Sequence, residues 1–281
     1  MKEEKIIEKN IVRTQYPQIA VIGGIHGDEP IGVKVIRKLS VCKVKKGALR
    51  LIVAHSVALK KQKRYLETDL NRSFPGKSHG TKEERLACKI KKRLVKSDFI
   101  FDIHATNSTF DELIIISKLN SDIKTVLKYI PIQKVAVIGK NVFGGKELIS
   151  QFKKAFSLEY GPDKSGKNAP RAIKHMRQVL INLRILEGKR KIFTRKNFYF
   201  VTHAYKVAKN FKQTRTLRDF VLIKNGQLIG HIGKKPIYAD HSFYPIFLGR
   251  GRYKKTLALC AKNMVAIKKR SRDKRDKKET F

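Results

Sequence analysis

Gln18-Ile19-Ala20-Val21-Ile22-Gly23-Gly24-Ile25-His26-Gly27-Asp28-Glu29-Pro30 is the stretch whose reading decides the fold. Its first part, Gln18–Gly23, is an apolar run closed by glycines, the pattern of a strand buried on both faces. Asp28 is then placed to cap a helix running to about Leu39, with Pro30 in its first turn and Val35, Ile36 and Leu39 on one face. A buried strand leading directly into an amphipathic helix is the repeating unit of an α/β sheet. Such sheets bind ligands beyond the carboxyl ends of their strands. The glycines around His26 allow unusual backbone angles and close approach of other chain segments.

The same alternation continues outward from this stretch. Residues 49–54 (LRLIVA), 99–103 (FIFDI), 113–116, 135–138 and 157–160 read as strands. Residues 82–96 form an amphipathic helix with Leu86, Ile90 and Leu94 in register, and 168–186 a long one with Pro170 near its start. These units predict an α/β sheet covered on both faces. From about Lys196 the pattern turns to β: residues 197–208, 220–230, 244–248 and 256–266 alternate or run apolar. Asn225-Gly226, between Val221-Leu222-Ile223 and Leu228-Ile229, predicts a type I′ hairpin. The division expected is a catalytic domain over 1–195, a small β domain over 196–266 and a basic disordered tail over 267–281.

Composition narrows the class. An apolar fraction of 41% supports a packed core, and no apolar stretch reaches the length of a membrane helix. The N-terminus mixes both charges and leads into no apolar h-region, so it does not read as a secretory signal. Three widely spaced cysteines, Cys42, Cys88 and Cys260, form neither a disulfide framework nor a thiolate metal motif. A cytoplasmic protein is expected. Lys and Arg together number 64 against 23 Asp and Glu, a net charge of +41. A field of this size attracts polyanions and anionic substrates nonspecifically, but no zinc-finger, RNA-recognition or basic-zipper pattern accompanies it.

Three segments carry chemistry. His26 and Glu29 stand three residues apart at a helix start, near enough to bind one ion together, though His-x-x-Glu alone more often describes a surface or turn pair. Asp102-Ile103-His104-Ala105-Thr106 ends a second apolar strand with a histidine whose ring Asp102 can hydrogen-bond, although a satisfied histidine at a strand end is the commoner reading of this segment alone. Two nitrogens and one carboxylate make the three-ligand set of hydrolytic zinc sites. Asp69-Leu70-Asn71-Arg72-Ser73-Phe74-Pro75-Gly76 sets an amide beside a guanidinium, a pair suited to a carboxylate, although a salt-bridged loop arginine is an equal reading.

In that order, GGIHGDE, DLNRSFPG and DIHAT resemble the succinylglutamate desuccinylase/aspartoacylase family, a deacylase branch of the zinc carboxypeptidase superfamily. The resemblance covers roughly residues 18–161. It implies a mixed central sheet flanked by helices, with a small C-terminal β domain that narrows the active-site entrance. It implies one zinc per chain on His26, Glu29 and His104, with Asn71 and Arg72 on the substrate carboxylate. Arg64 matches an arginine that polarises the scissile carbonyl, and Glu159 matches the catalytic glutamate. Tyr253 resembles a tyrosine that reaches back to the substrate, and a packed strand tyrosine is an equal reading there.

Two departures stand out. The aspartoacylases carry an arginine about ten residues before the catalytic glutamate. Here that position falls near Ile149, and only Lys146, Lys153 and Lys154 are nearby, which argues against N-acetylaspartate specificity. His55-Ser56 stands where the family often has Asn-Pro. The function expected is hydrolysis of the amide bond of an N-acyl amino acid or similar small anionic amide. A metallocarboxypeptidase acting on peptides or cell-wall fragments is the alternative, and a nucleic-acid-binding protein on a retired hydrolase fold a third. His79, His175, His203, His231 and His241 follow no motif and read as structural or exposed.

Overall fold

The computed structural model describes residues 6–14, 16–162, 168–249 and 255–263. Strands β1 (Ile7–Val12), β2 (Gln18–Gly23), β3 (Ala48–Val53), β4 (Phe99–Ala105), β5 (Glu112–Ile116), β6 (Lys134–Ile138) and β7 (Ala155–Tyr160) come first. Between them lie helices α1 (Ile31–Leu39), α2 (Ser56–Lys60), α3 (Lys82–Leu94), α4 (Ser121–Leu127) and α5 (Lys140–Phe143). Helix α6 (Asn168–Asn182) follows, and then β8 (Asn197–Lys206), β9 (Phe211–Gln213), β10 (Leu228–Ile232), β11 (Lys235–Tyr238), β12 (Tyr244–Ile246) and β13 (Thr256–Asn263). Ten strands form one mixed sheet in the order β1-β3-β2-β4-β7-β5-β6-β8-β13-β12. Strands β9, β10 and β11 form a separate antiparallel sheet. The region from Asn197 onward thus extends the central sheet with β8, β13 and β12 and also supplies the small sheet.

Period-two alternation divides the core. Ile19 and Val21 of β2 pack with Val35 and Leu39 of α1 and Met176 of α6. Ala20 and Ile22 pack on the other face with Leu86 and Ile90 of α3. Phe101 and Ile103 of β4 and Phe156 and Leu158 of β7 join the first layer. That leaves Asp102 and His104, and likewise Ser157 and Glu159, pointing to the α3 side. The parallel β4–β7 register pairs His104 with Glu159 and Asp102 with Ser157.

Several local expectations are corrected. Helix α1 starts at Ile31 with Pro30 at its N-cap and no side-chain cap, so Asp28 does not cap it. The residues before it are occupied by a tight turn in which Glu29 N donates to His26 O at 3.2 Å. Asn225-Gly226 is a turn, with Gly226 at φ +74°, but no hairpin forms around it. Ile223 makes only an isolated bridge with Phe243, while β10 pairs with β9 and β11. Gly226 N and Ala239 N instead bond Ala239 O and Gln227 O, so nonlocal pairing overrides the local turn preference. The hairpin turn lies at Gly233-Lys234, where Ile232 faces Lys235. The last part of 256–266 and the whole 267–281 tail lie outside the described residues. No helix among the described residues is long and apolar enough to cross a membrane.

Helix α1 and strand β2 meet backbone to backbone. A Cβ on Gly32 would sit 2.6 Å from Gly23 Cα and 2.9 Å from Ile103 O. This contact seats the His26–Glu29 turn against the end of β4. Gly32→Ala should destabilise the fold by about 1–3 kcal/mol through overpacking. Urea unfolding checks this; an unchanged midpoint would show that the two elements can part without strain.

Candidate active site

The ends of β2 and β4 bring three side chains together. His26 follows β2 across Gly24, whose φ of +69° turns the chain; Glu29 closes the tight turn; His104 sits on β4. All three are buried, at 3%, 2% and 2% exposure. Glu29 Oε1 lies 3.0 Å from His26 Nδ1, and Glu29 Oε2 lies 3.0 Å from His104 Nδ1. The far nitrogens are held by other carboxylates: His26 Nε2 by Asp69 at 3.0 Å and His104 Nε2 by Asp102 at 2.7 Å. Each ring therefore turns Nδ1 inward, with a carboxylate behind it, the arrangement that orients metal-ligating histidines. His26 Nδ1 is buried and makes no hydrogen bond among the described residues. One ligand atom from each of the three residues lies within 4.8 Å of the others. The donor set could hold a zinc ion with one position open.

Charge reinforces the cluster. Burial opposes ionisation of Glu29, but His26 and His104 outweigh it and hold the carboxyl well below its ordinary value. Burial likewise opposes a charged His104, yet Asp102, Glu29 and Glu159 raise it well above the ordinary histidine value. Asp69 is lowered against its own burial by His26, Arg64 and Arg72.

Arg64 ties this centre to the neighbouring loop. It donates to Glu29 Oε1 at 2.9 Å and, through Nε and Nη2, to Asp69 Oδ2 at 3.2 and 3.1 Å. Asp69 also caps the short 3₁₀ turn Leu70–Arg72, its Oδ1 accepting from Asn71 N at 2.9 Å. Asn71 Oδ1 accepts from Leu148 N at 3.0 Å, so its amide NH₂ is the group it can offer a ligand. Arg72 stacks over Phe143 at 4.1 Å, which orients the guanidinium plane. His26, Glu29, His104, Arg64, Asn71, Arg72 and Glu159 all line one cavity. Tyr253 lies outside the described residues.

Some residues in and around the cavity were not singled out in the sequence. Asp69 stands within DLNRSFPG, but its hold on His26 spans 43 positions. Glu147 carried no signal. It is buried, bonds Ser150 through Oε2 at 2.8 Å, and has no partner for Oε1 among the described residues. Ile149, where an arginine would have matched the aspartoacylases, lines the cavity together with Ile115, Ile138 and Phe247. Lys154 instead pairs with Asp122 at 3.3 Å.

The model of the succinylglutamate desuccinylase/aspartoacylase catalytic domain matches residues 15–186, which hold every described member of this cluster. The chain belongs to this family. A zebrafish (Danio rerio) N-acyl-aromatic-L-amino acid amidohydrolase (carboxylate-forming) is 28% identical over 198 residues, 59% of this chain and 60% of the relative. A Xenopus laevis protein described in the same words is 26% identical over 188 residues, 59% of this chain and 61% of its own. The chain thus spans about three-fifths of the length of these curated relatives. Murine aminoacylase 3 superposes with a TM-score of 0.74 at 19% identity, covering 89% of this chain and 96% of that one. At that identity the likeness is one of fold.

His55 links the start of α2 to α3. Its Nδ1 accepts from Ala58 N at 3.3 Å at the start of α2, and its Nε2 donates to Glu83 Oε1 at 3.1 Å. Fully buried Glu83 also accepts from Leu66 N at 2.7 Å, from Glu67 N and from Thr68 N, and so pins the segment joining Arg64 to Asp69. Burial opposes its ionisation, but the Leu66 amide, His55 and the Thr68 amide hold its carboxyl below the usual 4.5. A depressed carboxyl stabilises the fold above its unfolded value, and that contribution is lost as pH falls through the folded value. Glu83→Gln should cost about 2–3 kcal/mol near neutral pH, and the gap to wild type should narrow below pH 4.5. Urea titrations across pH check it; a gap independent of pH would remove Glu83 from this role.

Proposed function

We propose that the protein is a zinc-dependent deacylase that hydrolyses the amide bond of N-acyl amino acids. The observation that carries this reading is the inward-facing Nδ1 pair of His26 and His104 around Glu29, at the edge of a cavity that also holds Glu159 and two arginines. Zinc held there supplies Lewis-acid polarisation of the amide carbonyl and a more acidic water. The chain's own residues do the rest. Glu159, opposite His104 in the sheet register, takes a proton from the attacking water and delivers it to the leaving nitrogen. Arg64 stabilises the negative charge that develops on the carbonyl oxygen. Arg72, steadied by Phe143, and the Asn71 amide hold the substrate carboxylate in register.

The cavity wall supports a further choice of substrate. Ile115, Ile138, Ile149 and Phe247 form an apolar side where an arginine would favour an acidic group. A bulky apolar moiety fits this wall, and Glu147 Oε1 offers an acceptor to a substrate N–H. The N-acyl-aromatic activity named for the zebrafish and frog relatives is compatible with that preference. The +41 charge would draw anionic substrates toward the site and bind polyanions nonspecifically.

The test is turnover of N-acyl amino acids against C-terminal dipeptides, with wild type and Glu159→Gln. Wild type should favour N-acyl amino acids. Glu159→Gln should keep its fold and metal while kcat falls roughly 10²–10⁴-fold with KM little changed. Preferential cleavage of the dipeptides would favour the metallocarboxypeptidase reading, and unchanged turnover in the variant would make Glu159 structural.

A further inference from the structure

A second cluster of ligand-type side chains lies away from the catalytic cavity. His203 on β8, His241 just before β12 and Cys260 on β13 each place a ligand atom within 4.8 Å of the others. His203 and Cys260 are direct partners across the β8–β13 ladder, so their side chains leave the same face of the sheet. The ladder then steps from His203–Cys260 to Val201–Ala261, leaving Thr202 as an extra, bulged residue. The Thr202 hydroxyl bonds Cys260 O at 3.2 Å and His203 Nδ1 at 2.9 Å, which leaves Nε2 as the ring nitrogen His203 can offer.

His241 is held in the same fashion as the catalytic histidines. Its Nδ1 bonds Asp240 Oδ1 at 2.6 Å, while Nε2 is buried and has no hydrogen-bond partner among the described residues. A carboxylate behind one ring nitrogen fixes the tautomer and aims the other. Tyr205 and Phe243 pack on the ring with centroids 5.6 and 5.2 Å away and keep it from turning. Cys260 is 1% exposed and belongs to the core of the small sheet. Its neighbour Leu259 packs in a different core layer and lines the catalytic cavity. None of His203, His241 and Cys260 lines that cavity.

We propose that His203, His241 and Cys260 bind a thiophilic transition-metal ion, zinc in the first instance, at a structural site separate from the catalytic centre. Two imidazoles and a sulfur select zinc or copper(I) over magnesium or calcium. Binding displaces the Cys260 thiol proton to solvent and leaves a fourth position to water. The ion clips β8, β13 and the segment leading into β12 together, at the junction between the central and small sheets. The motif reading of the sequence missed the site because its three ligands come from separate segments, and only the strand register unites them.

Cobalt(II) is the probe, because a thiolate ligand gives a near-ultraviolet charge-transfer band that a histidine–carboxylate site cannot. The metal-stripped full chain should develop this band on titration with cobalt. His104→Ala should keep it, Cys260→Ser should abolish it, and His203→Ala should weaken cobalt binding at least 10-fold. His203 is exposed, so its variant carries the decision if Cys260→Ser fails to fold. Zinc or copper(I) should displace cobalt far below the concentration at which magnesium does. Absence of the band in wild type, its survival in Cys260→Ser or its full retention in His203→Ala overturns the site, as does displacement by magnesium.

Discussion

A single buried carboxylate, Glu29, is the point to which the rest of the structure answers. At 2% exposure it would cost several kcal/mol to bury unpaired. The groups that offset this cost arrive from three parts of the chain: His26 from the turn after β2, His104 and the Ala105 N–H from β4, and Arg64 from the loop after α2. The Ala105 amide donates to Glu29 Oε2 at 3.0 Å, so even the backbone of β4 is turned toward it. The arrangement therefore fixes the relative position of two strand ends and one loop. The two Nδ1 atoms converge on it because Asp69 and Asp102 hold the Nε2 atoms.

Everything around Glu29 serves to hold these groups in place. Gly23 and Gly32 bring the α1 start within contact of the strand ends, which larger residues would prevent. Asp69 and Asp102 occupy the outer ring nitrogens, so neither imidazole can flip without losing a bond. Glu83, four bonds deep in its own pocket, keeps the Arg64-to-Asp69 segment from drifting. Positive charge is needed at this site as well as on the surface, since Glu29, Asp69, Asp102, Glu147 and Glu159 are gathered within one small region. Arg64 and Arg72 offset part of it, and both line the cavity.

Much of this was legible in the sequence. Strands such as Gln18–Gly23 and Phe99–Ala105 are buried on both faces and read as apolar runs whatever surrounds them. His26, Glu29 and His104 stand in motifs next to those strands, and the structure brings them together. What escaped depended on tertiary partners. Strand β1 is an exposed edge strand, IEKNIV, with no alternation to announce it. Asn225-Gly226 carries a strong local turn signal, yet β10 finds better partners in β9 and β11. Asp28 looked like a cap, but the turn that positions Glu29 leaves it exposed and places Pro30 at the N-cap instead. Glu147 and His241 have no motif, and their unpartnered buried atoms exist only in the folded chain.

The direct test of the central claim is anomalous X-ray scattering at the zinc edge from crystals of the zinc-loaded protein. A peak is expected at about 2.0–2.2 Å from Nδ1 of both His26 and His104 and from a Glu29 oxygen, with Asp69 and Asp102 still on the Nε2 atoms. A zinc bound through either Nε2, or no peak among these three residues, would contradict it.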